Sequence, residues 1–96
     1  EDAVKAAELG LNGVVLSNHG GRQLDFARSG IEVLGEVIPQ LKKRGLFPNP
    51  MFQIFVDGGF RRATDMLKAI AMGATAVGIG RPFLYAYSSY GWQGGE

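Results

Sequence analysis

Three short runs, apolar almost throughout, dictate most of what this chain can become. They are "GVVLS" (Gly13 to Ser17), "FQIFVD" (Phe52 to Asp57) and "TAVGIG" (Thr75 to Gly80). Such runs are expected where a strand is covered on both faces of a parallel sheet. Helical patterns separate them. Asp2 to Leu9 reads as a helix stopped by Gly10. A second helix is expected from Ser29, because Ser29-x-x-Glu32 is a capping-box pattern. Ile31, Leu34, Val37, Ile38 and Leu41 then recur at helical spacing. Pro39 lies inside that run and is expected to kink or break the helix. "FPNP" (Phe47 to Pro50) reads as a turn. A third helix places Ala63, Met66, Leu67, Ile70 and Ala71 on one face and ends at Gly73. Pro82 suits the first turn of a last helical segment.

The order αβαβαβ with apolar strands implies parallel pairing through right-handed crossovers. "DAVKAAELGLNGVVLS" (Asp2 to Ser17) also aligns without gaps on "DMLKAIAMGATAVGIG" (Asp65 to Gly80). Two βα units per ~60 residues is the density of a (β/α)8 barrel, in which ~250 residues make eight. Three strands cannot close such a barrel, and they leave strand edges and inner faces uncovered. Neither end reads as a natural terminus. The expected fold class is therefore α/β, with residues 1–96 forming the C-terminal part (strands six to eight) of one larger TIM-barrel domain.

Composition removes several functions. The chain has no cysteine and one histidine, so thiolate metal sites, disulfides and a multi-histidine metal centre are excluded within it. A formal net charge of +1 gives no footprint for nucleic acid or an anionic membrane. No apolar run approaches the ~20 residues needed to span a bilayer. Fifteen glycines are about twice the ordinary share of ~7%. They gather behind the strands, at Gly20-Gly21, Gly58-Gly59, Gly78 and Gly80, where barrel enzymes keep their chemistry.

His19 follows the first strand. It is either a loop histidine bonded to nearby backbone or a general base, since its ordinary pKa lies near neutrality. Arg22 is either a solvated loop residue or a two-point grip on a carboxylate. Arg61, Arg62 and Arg81 stand at helix starts, where the dipole favours anions over cations. Two glycine-opened strand ends with the same departure point to a bound anion such as a phosphate. Barrels often bind phosphate in the loops after strands seven and eight, which sets the strand numbering above. "GIGRPF" lacks the third glycine of a dinucleotide fingerprint.

Taken in order, "SNHGGRQ" (Ser17 to Gln23), "VDGGFRR" (Val56 to Arg62) and "GIGRPFLY" (Gly78 to Tyr85) resemble the FMN-dependent α-hydroxy-acid dehydrogenase/oxidase family. That family includes glycolate oxidase, lactate oxidase and flavocytochrome b2. The resemblance spans essentially the whole chain, and "RPFLYAYSSYG" leans toward the flavocytochrome b2-like branch. It implies oxidation of an (S)-2-hydroxy acid, lactate- or glycolate-like, to the 2-oxo acid. By this resemblance His19 is the active-site base at the substrate, and Arg22 binds the substrate carboxylate. Ser17 lies against the flavin and Asp57 bonds the ribityl chain. Gly58, Gly59, Arg61, Gly80 and Arg81 hold the FMN phosphate region. Phe60 stands where the family often has a smaller aliphatic residue, with packing the expected consequence.

The same resemblance draws a carboxylate partner for the histidine, substrate-contacting tyrosines and a flavin-contacting lysine from earlier strands. The 96 residues alone are accordingly expected to be inactive. For the full-length protein it implies a homo-oligomer and, in the flavocytochrome b2-like branch, a haem domain. A different class of reading is a non-catalytic partial barrel that binds phosphate or FMN, or self-associates through its open edges. Another phosphate-binding barrel enzyme, an isomerase or one like IMP dehydrogenase, does not account for "SNHGGRQ".

Overall fold

A computed structural model describes residues 1–96. It contains helix α1 (Asp2–Glu8), strand β1 (Gly13–Leu16), helix α2 (Gly30–Lys43), strand β2 (Gln53–Asp57), helix α3 (Ala63–Met72), strand β3 (Ala76–Gly78) and helix α4 (Arg81–Tyr90). Short 3-10 turns cover His19–Gly21 and Gly91–Gly95. The strands form one parallel sheet in the order β1-β2-β3. Consecutive parallel strands joined through helices are successive βα units of a (β/α)8 barrel, as the sequence predicts.

Register divides the sheet into two unlike faces. Val14 pairs with Ile54, and Leu16 with Val56, which in turn pairs with Val77. These side chains, alternating along each strand, meet the helices. With Leu34, Val37, Ile38 and Leu41 of α2, Ala3, Val4 and Ala6 of α1, and Ala69 of α3, they make one core cluster. Leu34, Leu41, Ile54 and Val56 are its largest fully buried members. The opposite face carries Val15, Phe55 and Ala76 in one row. Val15 is 65% exposed. The expectation that the first strand is covered on both faces is thus met on one face only. Helices α1, α2 and α3 all pack on the other side.

The start of α2 fixes how the helix layer sits. Ser29 caps it: the Ser29 Oγ accepts from the Glu32 N–H at 3.4 Å, while the Ser29 N–H donates to Glu32 Oε2 at 2.9 Å. Gly30 follows, buried against the strand ends. A Cβ there would lie 2.7 Å from the Leu16 carbonyl oxygen and 2.9 Å from that of Asp57. Any larger residue would lift α2 off both strands. Downstream, the helix runs unbroken through Pro39 to Lys43, contrary to the expected kink or break. The carbonyl that loses a bond to Pro39 belongs to Gly35, and both residues are exposed. An exposed carbonyl is open to solvent, so the proline costs less there than in a buried helix.

Two further departures concern the C-terminal half. On α3 Ala69 is buried and Met66 half-buried against the core, while Leu67 (67%) and Ile70 (45%) stay exposed, so the apolar face is wider than the packed one. Helix α4 buries no residue and packs mainly on the 3-10 turn after it. The radius of gyration is 14.9 Å, with extents of 47 × 30 × 21 Å. A compact chain of about 100 residues has ~13 Å, and the open sheet with its lightly packed last helix accounts for the difference.

The Glu32 carboxyl is held below the usual carboxylate range, first by the Ser29 backbone N–H, then by the Ser29 hydroxyl. A carboxyl lowered in the folded state adds stability that is complete above its unfolded value of ~4.3 and is lost as pH falls through the folded value. Thermal melts followed by circular dichroism should therefore show Glu32→Gln less stable than the parent at pH 7. The gap should close below about pH 4. A gap that stays constant down to pH 3 would mean that the Glu32 charge has no part in the cap.

Candidate active site

Strand register brings the polar and small positions to one end of the inner face. Asp57 pairs with Gly78. Ser17 follows Leu16, whose partner is Val56, and so continues the row beside Asp57. A Cβ at Gly78 would stand 3.1 Å from the Asp57 Cβ, so the glycine clears the space that the aspartate uses. Asp57 Oδ1 is buried and has no hydrogen-bond partner. A buried carboxylate oxygen without a donor costs about 1–3 kcal/mol or more, so this atom is suited to a donor from outside these residues, such as a hydroxyl.

Above β1 the chain makes a tight left-handed passage. His19, Gly20 and Gly21 have φ of 58°, 67° and 72°. For the two glycines this is free of Cβ strain, but for His19 it costs about 1–2 kcal/mol. Local bonds hold the turn. The His19 N–H donates to Ser17 Oγ at 3.0 Å, and the Gly21 N–H donates to Asn18 Oδ1 at 3.1 Å. The imidazole itself makes no hydrogen bond, which disfavours a loop histidine tied to neighbouring backbone. Arg22 ends the turn, exposed and in no ion pair. A titratable ring and a free guanidinium thus leave one short loop beside the Ser17–Asp57 row.

The loops after β2 and β3 supply the cationic side. Gly58 and Gly59 are left-handed at φ 91° and 81°, and nothing lies within 4 Å of a Cβ built at Gly59. Arg61 and Arg62 precede α3 rather than occupying its first turn. Their N–H groups donate to Asp65 Oδ2 at 3.3 and 3.1 Å, so the anion that the dipole favours is already present there. The expected departure from the dipole rule is therefore confined to Arg81, the first residue of α4. Its Nη2 donates to the Gly20 carbonyl at 2.6 Å, joining the loop after β3 to the histidine loop.

All the positions singled out in the sequence lie at or just beyond the C-terminal ends of the strands. Asn18 and Asp65 are additions. Asn18 and Asp65 carried readable signals, an Asx cap three residues before Gly21 and an acid in a first helical turn. Gly78 stands among the glycines that the sequence places behind the strands, and the register adds its partner, Asp57.

A family model described as FMN-dependent dehydrogenase matches residues 1–96. The chain is 65% identical over 94 residues to an L-lactate dehydrogenase (cytochrome) of Wickerhamomyces anomalus, covering 98% of this chain and 16% of that protein. It is 49% identical over 94 residues to a peroxisomal (S)-2-hydroxyacid oxidase of Arabidopsis thaliana, covering 98% of this chain and 24% of that one. Among solved structures, a flavocytochrome b2 variant with pyruvate bound superposes with a TM-score of 0.90 at 61% identity, over 99% of this chain and 24% of that chain. The chain therefore spans about a sixth to a quarter of the length of these relatives.

Replacing Gly59 tests backbone geometry apart from crowding, because no atom opposes a new Cβ. Gly59→Ala should destabilise the protein by about 1–2 kcal/mol through the left-handed φ alone. Urea unfolding measures it. An unchanged midpoint would mean that the loop relaxes to a negative φ at no cost.

Proposed function

Because the chain belongs to the FMN-dependent dehydrogenase family, we propose that the full-length protein oxidises an (S)-2-hydroxy acid to the 2-oxo acid with FMN. Residues 1–96 then form the C-terminal part of one barrel domain. The observation that carries this reading is the meeting of two loops: the one bearing His19 and Arg22 is tied to Arg81, at the start of α4.

The residues present fit the cofactor. Asp57 Oδ1, buried and without a donor, would accept a hydrogen bond from a ribityl hydroxyl. Gly58, Gly59 and Gly80 leave backbone uncovered at the strand ends, and Arg61 and Arg81 would neutralise a phosphate. Ser17, next to Asp57 in the row, would lie against the flavin. Bound FMN supplies the two-electron acceptor.

The chain's own residues do the remainder. Arg22 holds the substrate carboxylate through two parallel charge-assisted hydrogen bonds, which fixes the C2–H and the hydroxyl in direction. His19 takes one of the substrate's two departing hydrogens as a proton and later releases it to water, while the other hydrogen and the two electrons would go to bound FMN. The left-handed turn sets the direction in which the imidazole leaves the backbone. The relatives are named for a cytochrome-linked dehydrogenase and for an oxidase. The lactate-like substrate class is shared by the proposal whichever acceptor reoxidises the flavin.

In the full-length protein, His19→Gln should lower turnover of L-lactate or glycolate by at least ~10²–10⁴-fold while FMN absorbance is retained. Residues 1–96 alone should give no turnover in the same assay, since their inner face is open. Near-normal kcat in His19→Gln on every 2-hydroxy acid tried would remove His19 from the mechanism.

Arg22→Lys should reduce kcat/KM by about 2–4 kcal/mol in transition-state binding, because an ammonium cannot reproduce the two-point contact. Acids and their neutral esters separate the causes. Equal losses for both would show that Arg22 does not bind the carboxylate.

A further inference from the structure

Asn18 to Arg22, the tight turn that carries His19 and Arg22, make one hydrogen bond to a residue outside their own loop. His19 N–H to Ser17 Oγ, Gly21 N–H to Asn18, and Arg22 N–H to the His19 carbonyl at 3.4 Å all lie within the loop. Arg81 Nη2 to the Gly20 carbonyl, at 2.6 Å, reaches across 61 positions. It lands midway between the two residues assigned to proton transfer and carboxylate binding.

We propose that Arg81 is a positioning residue for the His19–Arg22 loop, and that phosphate bound at the start of α4 sets the loop through it. This rests on the FMN reading above. A guanidinium is planar, with five N–H donors in a rigid fork. One donor engaged on Gly20 leaves others for phosphate oxygens, and the plane fixes the angle between the two contacts. A held phosphate therefore holds the Gly20 carbonyl, and with it the peptide planes on either side. The loop needs such support, since His19 sits at φ 58° against its steric preference. The approach is also close enough to favour glycine: a Cβ at Gly20 would lie 3.0 Å from Arg81 Nη2. Lysine at position 81 would keep the charge for phosphate but could not serve both partners in one fixed plane. Arg81 would thus act twice, on the cofactor directly and on His19 through the backbone.

The test uses the full-length protein as wild type, Arg81→Lys and Arg81→Met, stripped of FMN and then reloaded. Amide hydrogen exchange at Gly21 and Arg22 reports the loop, and Val33 in the first turn of α2 serves as control. Without cofactor, both variants should exchange at the loop roughly tenfold faster than wild type, with Val33 unchanged. In wild type, FMN should slow loop exchange further, whereas riboflavin, which lacks the phosphate, should not. Neither variant should show the FMN effect. At saturating FMN and L-lactate, Arg81→Lys should reduce its flavin ~10²-fold more slowly. Loop exchange identical in all three cofactor-free proteins would overturn the positioning role. Riboflavin matching FMN in wild type would overturn the phosphate coupling. Wild type that binds no FMN would overturn the proposed function instead, and the cofactor-free comparison would still decide whether Arg81 holds Gly20.

Discussion

The packing of α2 onto β1 and β2 is the constraint from which the rest follows. Leu34 and Leu41 are fully buried with Ile54 and Val56, and Gly30 seats the helix start within van der Waals reach of two strand-end carbonyls. Burying side chains of this size contributes about 1.5–3 kcal/mol each, and the capping box adds direction at the helix start. With that contact in place the sheet register is fixed, because a one-residue slip would turn Ile54 and Val56 away from the helix. A fixed register in turn determines which residues line the inner face. Ser17, Asp57 and Gly78 reach the site because their neighbours Leu16, Val56 and Val77 belong on the helix side.

Stability and chemistry are therefore separated by single steps along each strand. The helix-facing positions are aliphatic and take part in the core. At the C-terminal end the inner positions are hydroxyl, carboxylate and glycine, none of which would stabilise a core. The unpartnered Asp57 oxygen shows the cost of that arrangement, since it lacks a donor where the surrounding chain is closely packed. Such a group is tolerated when a ligand completes it.

Much of this was legible in the sequence because the signals are local. Gly10 after α1, the Ser29–Glu32 pair before α2 and Gly73 after α3 each act within a few residues. What was less legible depends on neighbours distant in the chain. Val15 reads as a buried strand residue, yet its exposure is decided by whatever lies across the inner face. Leu67 and Ile70 continue a helical stripe, but only Met66 and Ala69 of that helix meet the core. The site follows the same division. The glycine clusters and His19 could be located from their positions after apolar runs, while the Arg81–Gly20 contact joins residues that no sequence window holds together.

The histidine loop shows why such a contact matters more than its single bond implies. Gly20 and Gly21 accept positive φ without a Cβ penalty, so they let the turn form but do little to select one conformation. His19 resists the same φ, and the Ser17 and Asn18 bonds that oppose this resistance are exposed to water. Exposed hydrogen bonds of this kind contribute about 0.5–1.5 kcal/mol each, comparable with the strain at His19. The local terms nearly balance, leaving the turn without a strong preference of its own. A tie from another βα unit then has leverage out of proportion to its energy, because it acts on a conformational balance close to even. The histidine loop is thus placed by a neighbouring βα unit, with the glycines supplying the freedom that lets that contact choose.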